Sequence, residues 1–234
     1  MELLVLGGSL AAFRLLNAAL ERLVPPPPPA QRNRWKWRNI CTSFVHSLLS
    51  GGGALLGFYL HPQMAEDLID THLPGAHRLL GVSVGYFLQD FIDMMCNQKL
   101  CECWELLCHH SVVIVCFSIA FLIHRFVGFA TVALLVEINS VFLHLRTILR
   151  MAGLSHTSYY RVTSLVNLGT YMVFRISTLA WMTRWLVLNR ESIPAATYVV
   201  SAVGLAIITP MNIVLFYRLL RNDYLRSSQH DKRQ

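Results

Sequence analysis

Gly81–Ile123 reads GVSVGYFLQDFIDMMCNQKLCECWELLCHHSVVIVCFSIAFLI. Gly81–Met95 is apolar except for Ser83, Gln89, Asp90 and Asp93. A short polar break, Cys96–Glu105, leads to the pair His109-His110, and thirteen uncharged residues come next, Ser111–Ile123. Two apolar stretches of this kind, flanking a short polar break, read as a pair of membrane helices. Two carboxylates three apart and two adjacent imidazoles therefore lie inside or at the edge of hydrocarbon. A charge at mid-membrane costs at least about 2.5–3.5 kcal/mol, so ionisable groups placed there mark a functional site.

The rest of the chain supports this reading. Of its 234 residues 54% are hydrophobic and only 14% charged, with mean hydropathy +0.46. A soluble domain carries about 25% charged residues. Net charge is +7, but the basic residues fall in short loops and the tail, the footprint of membrane topology and not of a nucleic-acid-binding stripe. Six cysteines are present, four of them within Cys96–Cys108. Cys101-x-Cys103 lacks the spacing of paired zinc ligands, so no metal site is expected. Juxtamembrane Cys101 or Cys103 is a candidate for palmitoylation.

Seven apolar segments succeed one another: 2–24, Ile40–Leu60, Leu79–Met95, Leu106–Ile123, Val127–Leu149, Val162–Leu188 and Ala195–Leu220. The first is a retained signal-anchor helix, since its start lacks positive charge and no small-residue cleavage site comes after it. Pro25–Pro29 is a stiff extended spacer because five prolines cannot continue a helix. Trp35 and Trp37, interleaved with Arg34, Lys36 and Arg38, suit a headgroup-level anchor. Gly51–Gly53 permit close helix approach. With the loop after the first segment in the cytosol, thirteen Lys and Arg residues face the cytosol. Only Arg78, Arg125, Arg184 and Arg190 face the other side, and Arg14, Arg22 and Arg175 lie within spans. The N-terminus is then outside or lumenal and the C-terminus cytosolic. The expected fold is an all-α multi-pass membrane protein: a separable N-terminal helix (1–24), a proline-rich linker (25–32), a membrane domain (33–227) and a cytosolic tail (228–234).

Within the spans, Asp90 and Asp93 share one helix face with Tyr86 one turn away. Their candidate partners are His109, His110, Arg146 and Arg175, either as an acid/base unit or as a network that ties helices together. His109 and His110 project about 100° apart on a helix, so one acts while the other orients it or caps the helix start. Glu137, Asn139, Ser140, His144 and Arg146 make the second half of the fifth segment polar, and Glu137, Ser140 and His144 share a face turned to a cavity or the bundle interior. Arg175 lies deeper than topology requires, either snorkelling or as a counter-charge for a carboxylate or a lipid phosphate. Asn167 and Asn212 supply hydrogen bonds from the last two segments. Serine-hydrolase, Walker and Rossmann signatures are not found in the sequence. What remains is histidine and carboxylate chemistry reached from within the bilayer, on lipids or acyl chains.

Trp35-x-Trp37-x-Asn39, the helix Ser83-x-Gly85-Tyr86-Phe87-x-x-Asp90-x-x-Asp93, Trp104-Glu105 ahead of His109-His110, and Leu135-Val136-Glu137 ahead of Phe142-x-x-x-Arg146 resemble the TLC-domain proteins. That family includes the ceramide synthases and the translocating-chain-associated membrane protein. The resemblance covers 33–227. It implies a barrel of six transmembrane helices around a lipid-sized cavity, with an extra N-terminal helix here. In the ceramide synthases the His-His pair is catalytic, with acids from a later H-D-x-x-D motif. His109 and His110 match the pair. Glu137 falls near the first acid of the later motif, but Ser140 stands near the second.

Close relatives within the family are associated with the phospholipid composition of the plasma membrane and are thought to limit fluidising phospholipids with polyunsaturated chains. Two readings stand. In one, the protein is an intramembrane lipid acyltransferase with His109, His110, Asp90 and Asp93 catalytic. Tyr86, Glu137, Asn139, His144, Arg146, Arg175 and Asn212 then form a polar cavity, and acyl-CoA or phospholipid is the donor, with no resident cofactor. In the other, the same groups bind a lipid headgroup without catalysis. A ceramide-synthase-like N-acyltransferase is a third alternative. The partners implied are membrane phospholipids or fatty acyl chains. The plasma membrane is favoured over the endoplasmic reticulum, since Asp231-Lys232-Arg233-Gln234 holds no lysine retention signal.

Overall fold

A backbone N–H or C=O in hydrocarbon has no water to bond, so each apolar stretch satisfies itself as a helix. The computed structural model describes residues 2–222, and among them every regular element is helical. The expected tail beyond Asn222 lies outside the described residues. In chain order the α-helices are α1 (Glu2–Leu23), α2 (Arg34–Leu60), α3 (Gln63–Glu66), α4 (Pro74–Asn97) and α5 (Leu100–Ile123). Then come α6 (Val127–Leu134), α7 (Val136–Met151), α8 (Ser158–Tyr171), a π-helical turn (Met172–Ser177), α9 (Thr178–Leu188) and α10 (Ala195–Leu220).

Six stretches among the described residues are long and apolar enough to cross a membrane: Leu3–Leu23, Pro28–Leu60, Pro74–Asn97, Leu100–Ile123, Val127–Met151 and Ala195–Leu220. The sixth expected segment, Val162–Leu188, is helical from Ser158 onward but is not one of these six. Its first half carries Thr163, Ser164, Asn167 and Thr170, and the π-turn divides it.

Several boundaries differ from the sequence reading. Pro28–Asn33 closes into a 3-10 helix, so only the first part of the proline run is an extended spacer. The Asn33 side chain then accepts the Lys36 N–H and starts α2 six residues earlier than the apolar run suggests. The polar break after α4 shrinks to Gln98 and Lys99, because Leu100–Glu105 is already helical. Segment five is two helices that meet at Leu135.

The helices close a ring. α2 packs on α4, α4 on α5, α5 on α10 and α10 on α9; α6 packs on α9 and α7 on α8, and α7 returns to α2. Outside this ring, α1 lies against α4 and α2. It packs closely on them. A Cβ on Gly85 would come within 2.6 Å of the Leu6 carbonyl oxygen and 2.7 Å of Ser9 Cβ, so glycine lets the two backbones meet. The Ser9 hydroxyl donates to the Val82 carbonyl at 2.7 Å across the same contact. Of the expected glycine trio, Gly51 lets two backbones approach, its missing Cβ lying 2.9 Å from the backbone nitrogen of Ile138 on α7.

Beside an apolar core, an unusually large set of polar side chains is buried while many apolar ones are exposed. Thr42, Ser43, His46, Ser47, Asp90, Asn139, Arg146, Asn167, Arg175 and Asn212 are buried, while Leu3, Leu4, Leu55, Leu122 and Val187 are exposed. That distribution is what a helix bundle in lipid requires, since apolar side chains lose nothing by facing hydrocarbon and polar ones must find partners inside.

Candidate functional site

Helical spacing brings α2 and α4 together through three polar side chains. Trp35, Arg38 and Asn39 stand at i, i+3 and i+4 and meet Asp90 and Asp93 at i and i+3. Asn39 Nδ2 donates to Asp90 Oδ1. Arg38 Nη2 donates to Asp93 at 3.0 and 3.2 Å, Trp35 Nε1 donates to Asp93 Oδ2 at 2.8 Å, and Asn97 adds a third donor. Arg38 also reaches Glu21 of α1 at 2.9 Å. Trp37 is buried, and its Nε1 donates to the Val24 carbonyl at 3.2 Å. Both tryptophan N–H groups are thus spent inside the protein, not at lipid headgroups.

The two carboxylates therefore have different surroundings. Asp93 is held by a cation at the edge of the fold. Asp90 is buried, and its second oxygen lies 3.4 Å from His110 Nε2. Of the four expected partners of the aspartates, His110 is the one the structure brings to Asp90. Because α5 begins at Leu100, His110 lies ten residues inside the helix, about 15 Å from its start and deeper than the expected boundary position. His109, one residue back, turns away. Its ring meets that of His110 at 77° with centroids 5.7 Å apart.

His109 lines a cavity bounded by α4, α5, α6, α7, α9 and α10, with about 1020 Å³ of empty space that includes open solvent at its mouth. Its walls are mostly apolar: Phe87, Phe117, Phe126, Phe129, Leu179, Met182, Leu205 and Ile208. The polar lining falls in two groups, His109, Glu137 and Asn212 at one end and the hydroxyls of Thr197 and Ser201 near the start of α10. From His109 to Ala120 on the same wall is about 16 Å along α5. The site is thus an apolar slot with a polar floor, and the buried His110–Asp90 pair stands behind one of its floor residues.

Further polar contacts surround that floor. Arg175 sits in the π-turn, a helix irregularity frequent at functional sites. Its Nη1 donates to Asn212 Oδ1 at 2.8 Å and its Nη2 to Ser140 Oγ at 2.7 Å. Its guanidinium lies over the Tyr171 ring at 5.3 Å, and the Tyr171 hydroxyl donates to the Asn212 carbonyl at 2.8 Å. Glu137 Oε2 accepts from Ser47 Oγ at 2.7 Å. His144 lies within electrostatic reach of His46, His110 and Arg175.

The other expected cavity residues stand elsewhere. Tyr86 is stacked on His46 at 3.7 Å between centroids and donates to Ser43, away from the slot. Asn139 ties α7 to α8 through Asn167 and Thr170. Arg146, counted among the cytosolic cations, is buried within α7 and lies over the Tyr160 ring at 5.3 Å. Cys103 is buried, so of the two candidate acylation sites only Cys101 is exposed.

Sequence reasoning missed Arg38 as the cation for Asp93, and His46 and Ser47 altogether. A signal for the last two was present. Asn39, Ser43, His46, Ser47 and Ser50 run along one face of the second segment at three- and four-residue spacing. All five are buried.

Comparison with known proteins agrees with the family suggested by the motifs. A family model described as TLC domain matches residues 36–221. The chain is 61% identical over 227 residues to TLC domain-containing protein 2 of Danio rerio, covering 97% of this chain and 92% of that protein. It is 47% identical over 228 residues to TLC domain-containing protein 2 of Homo sapiens, with coverages of 97% and 86%. TLC domain-containing protein 1 of Gallus gallus is 34% identical over 227 residues, with coverages of 95% and 88%.

Proposed function

From the premise that the chain belongs to the TLC-domain family, we propose that it sets the acyl composition and fluidity of membrane phospholipids by intramembrane acyl transfer at His109. The observation that carries this reading is the placement of His109 on the polar floor of an apolar slot, with the buried His110–Asp90 pair directly behind it. In this scheme the acyl chain of the donor, acyl-CoA or a phospholipid, lies along Phe117, Phe126 and Phe129. An acceptor hydroxyl gives its proton to His109 as its oxygen bonds to the acyl carbonyl carbon. The bond from that carbon to the donor's sulfur or oxygen breaks, and the leaving group takes the proton from His109. His110 and Asp90 are positioning residues here, since neither lines the slot. Asp93 is engaged by Arg38 and Trp35 and has no part in the step.

The topology that goes with this reading has seven spans, the α8–α9 run included, with the N-terminus outside and the C-terminus cytosolic. Arg161 and Arg218 then stand on the same side as Arg34, Lys36 and Lys99. The favoured location is the plasma membrane.

A non-catalytic lipid-binding role is the second reading. The observation in its favour is that His109 has a ring contact with His110 but no hydrogen bond among the described residues to fix its tautomer. The ceramide-synthase-like alternative is weakened by Ser140, a hydroxyl near the place of the family's second acid.

The purified chain, incubated with acyl-CoA and either lysophospholipid or a sphingoid base, separates these readings. Transfer to lysophospholipid that vanishes in a His109→Ala/His110→Ala variant supports the proposal. Transfer to the sphingoid base alone supports the ceramide-synthase-like alternative. No transfer across the donor and acceptor panel, with one lipid retained per chain, favours the binding role.

A further inference from the structure

Arg175 is a buried cation whose hydrogen bonds go only to neutral groups. Among the described residues its guanidinium donates to Asn212 Oδ1 and Ser140 Oγ and to no carboxylate. Its Nε is buried without a partner. The residue is 8% exposed and lies near the middle of the helical run Ser158–Leu188, about 26 Å from one end and about 20 Å from the other. A guanidinium carries five N–H donors, and two serve Asn212 and Ser140. The Nε–H is sealed inside the protein, so one N–H on each Nη, beside the slot residue Asn212, remains for an incoming carboxylate. A desolvated, unneutralised guanidinium is costly, and an anionic ligand would offset much of that cost.

The surroundings define where that anion would sit and where an attached chain would run. Asn212, which holds Nη1, lines the polar floor of the slot, and Arg175 lies within electrostatic reach of His109 on the same floor. Glu137, the acidic residue in the lining, is engaged by Ser47. Beyond the floor the walls are mostly apolar toward Phe126 and Phe129, with the hydroxyls of Thr197 and Ser201 on the α10 side and no further charge in the lining. Among the described residues that line the slot there is no lysine or arginine to match a doubly charged phosphate. We propose that Arg175, steered by Asn212, Ser140 and the Tyr171 ring, is the seat of the carboxylate of an unesterified long-chain fatty acid whose tail fills the slot. This rests on the same slot as the acyl-transfer reading but not on any turnover.

Native mass spectrometry of the full chain purified in detergent tests it, with oleic acid, oleyl alcohol and lysophosphatidate offered separately at equal concentration. One oleate per chain is expected, retained roughly tenfold better than the alcohol, as one charge-assisted pair implies. Arg175→Gln should bring acid and alcohol to parity. The wild-type ratio decides even if that variant fails to fold. Equal retention of acid and alcohol by the wild type overturns the proposal, as does an acid preference that survives Arg175→Gln. Preference for lysophosphatidate over oleate also overturns it, in favour of a phosphate seat. Oleate bound without any acyl transfer sinks the acyl-transfer reading alone. Transfer without acid preference sinks this inference alone.

Discussion

Asp90 binds Asn39 with one carboxylate oxygen and faces His110 with the other, so three helices meet on one buried side chain. Removing it would leave an amide and an imidazole without their partner. Asp90→Ala should cost roughly 3–5 kcal/mol, as broken buried pairs do. Asp90→Asn keeps an acceptor for one neighbour and should cost clearly less. Thermal unfolding of the purified variants in one detergent measures both, and equal losses would mean that the pair with His110 is not what matters.

Arg38 serves two acids of very different exposure. Glu21 is two-thirds exposed, and its side of the bridge should contribute about 0–1 kcal/mol. The Asp93 side is mostly shielded and reinforced by the Trp35 N–H. Glu21→Gln should therefore be nearly silent in thermal unfolding, while Arg38→Ala should be markedly destabilising. A double-mutant cycle of Arg38→Ala with Asp93→Asn should return a coupling larger than the cycle with Glu21→Gln.

Docking of the first helix rests on Gly85. Gly85→Leu puts side-chain atoms where the Leu6 carbonyl and Ser9 stand, an overpacking that costs about 1–3 kcal/mol. With a protease site built into Pro25–Pro29, the cut first helix should copurify with the rest of the chain in the wild type. It should dissociate in the Gly85→Leu variant.

On the far face, Arg125 donates from Nε and Nη2 to the Asp70 carboxylate at 2.5 and 3.1 Å, and the Phe126 N–H donates to the Ile69 carbonyl at 2.7 Å. The Arg125 hydrogen bond holds the Asp70 carboxyl below its ordinary range. A carboxylate with a depressed folded-state pKa stabilises above its unfolded value, and the contribution is lost as pH falls through the folded one. The wild type should therefore lose a small increment of stability between about pH 4 and lower values that Asp70→Asn does not lose. Unfolding measured from pH 7 to pH 3 in both proteins checks it.

The helices were legible because hydrocarbon permits little else, and their boundaries failed where chemistry other than apolarity decides. Asn33 capped α2 early, and Leu100–Glu105 propagated α5 through a stretch that reads as polar. The pairing of His110 with Asp90 could be anticipated, since buried carboxylates need partners and few were offered. The choice of Arg38 over Arg146 and Arg175 for Asp93 could not. It depends on the crossing of α2 over α4, which no local pattern records. The π-turn at Arg175 was equally invisible, yet it belongs to the helix that places the guanidinium beside Asn212.

The ring of helices closes between α5 and α10, where Arg218 grips Glu105 at 2.7 and 2.8 Å. Neighbours in that wall are the third and the last long helices of the ring to leave the ribosome. The Asp90–His110 pair can therefore assemble while the chain is still being made, but the slot has no far wall until Ala195–Leu220 is inserted. A chain stalled before Ala195 would present His109 to bulk lipid, so the compartment exists only once α10 is in place.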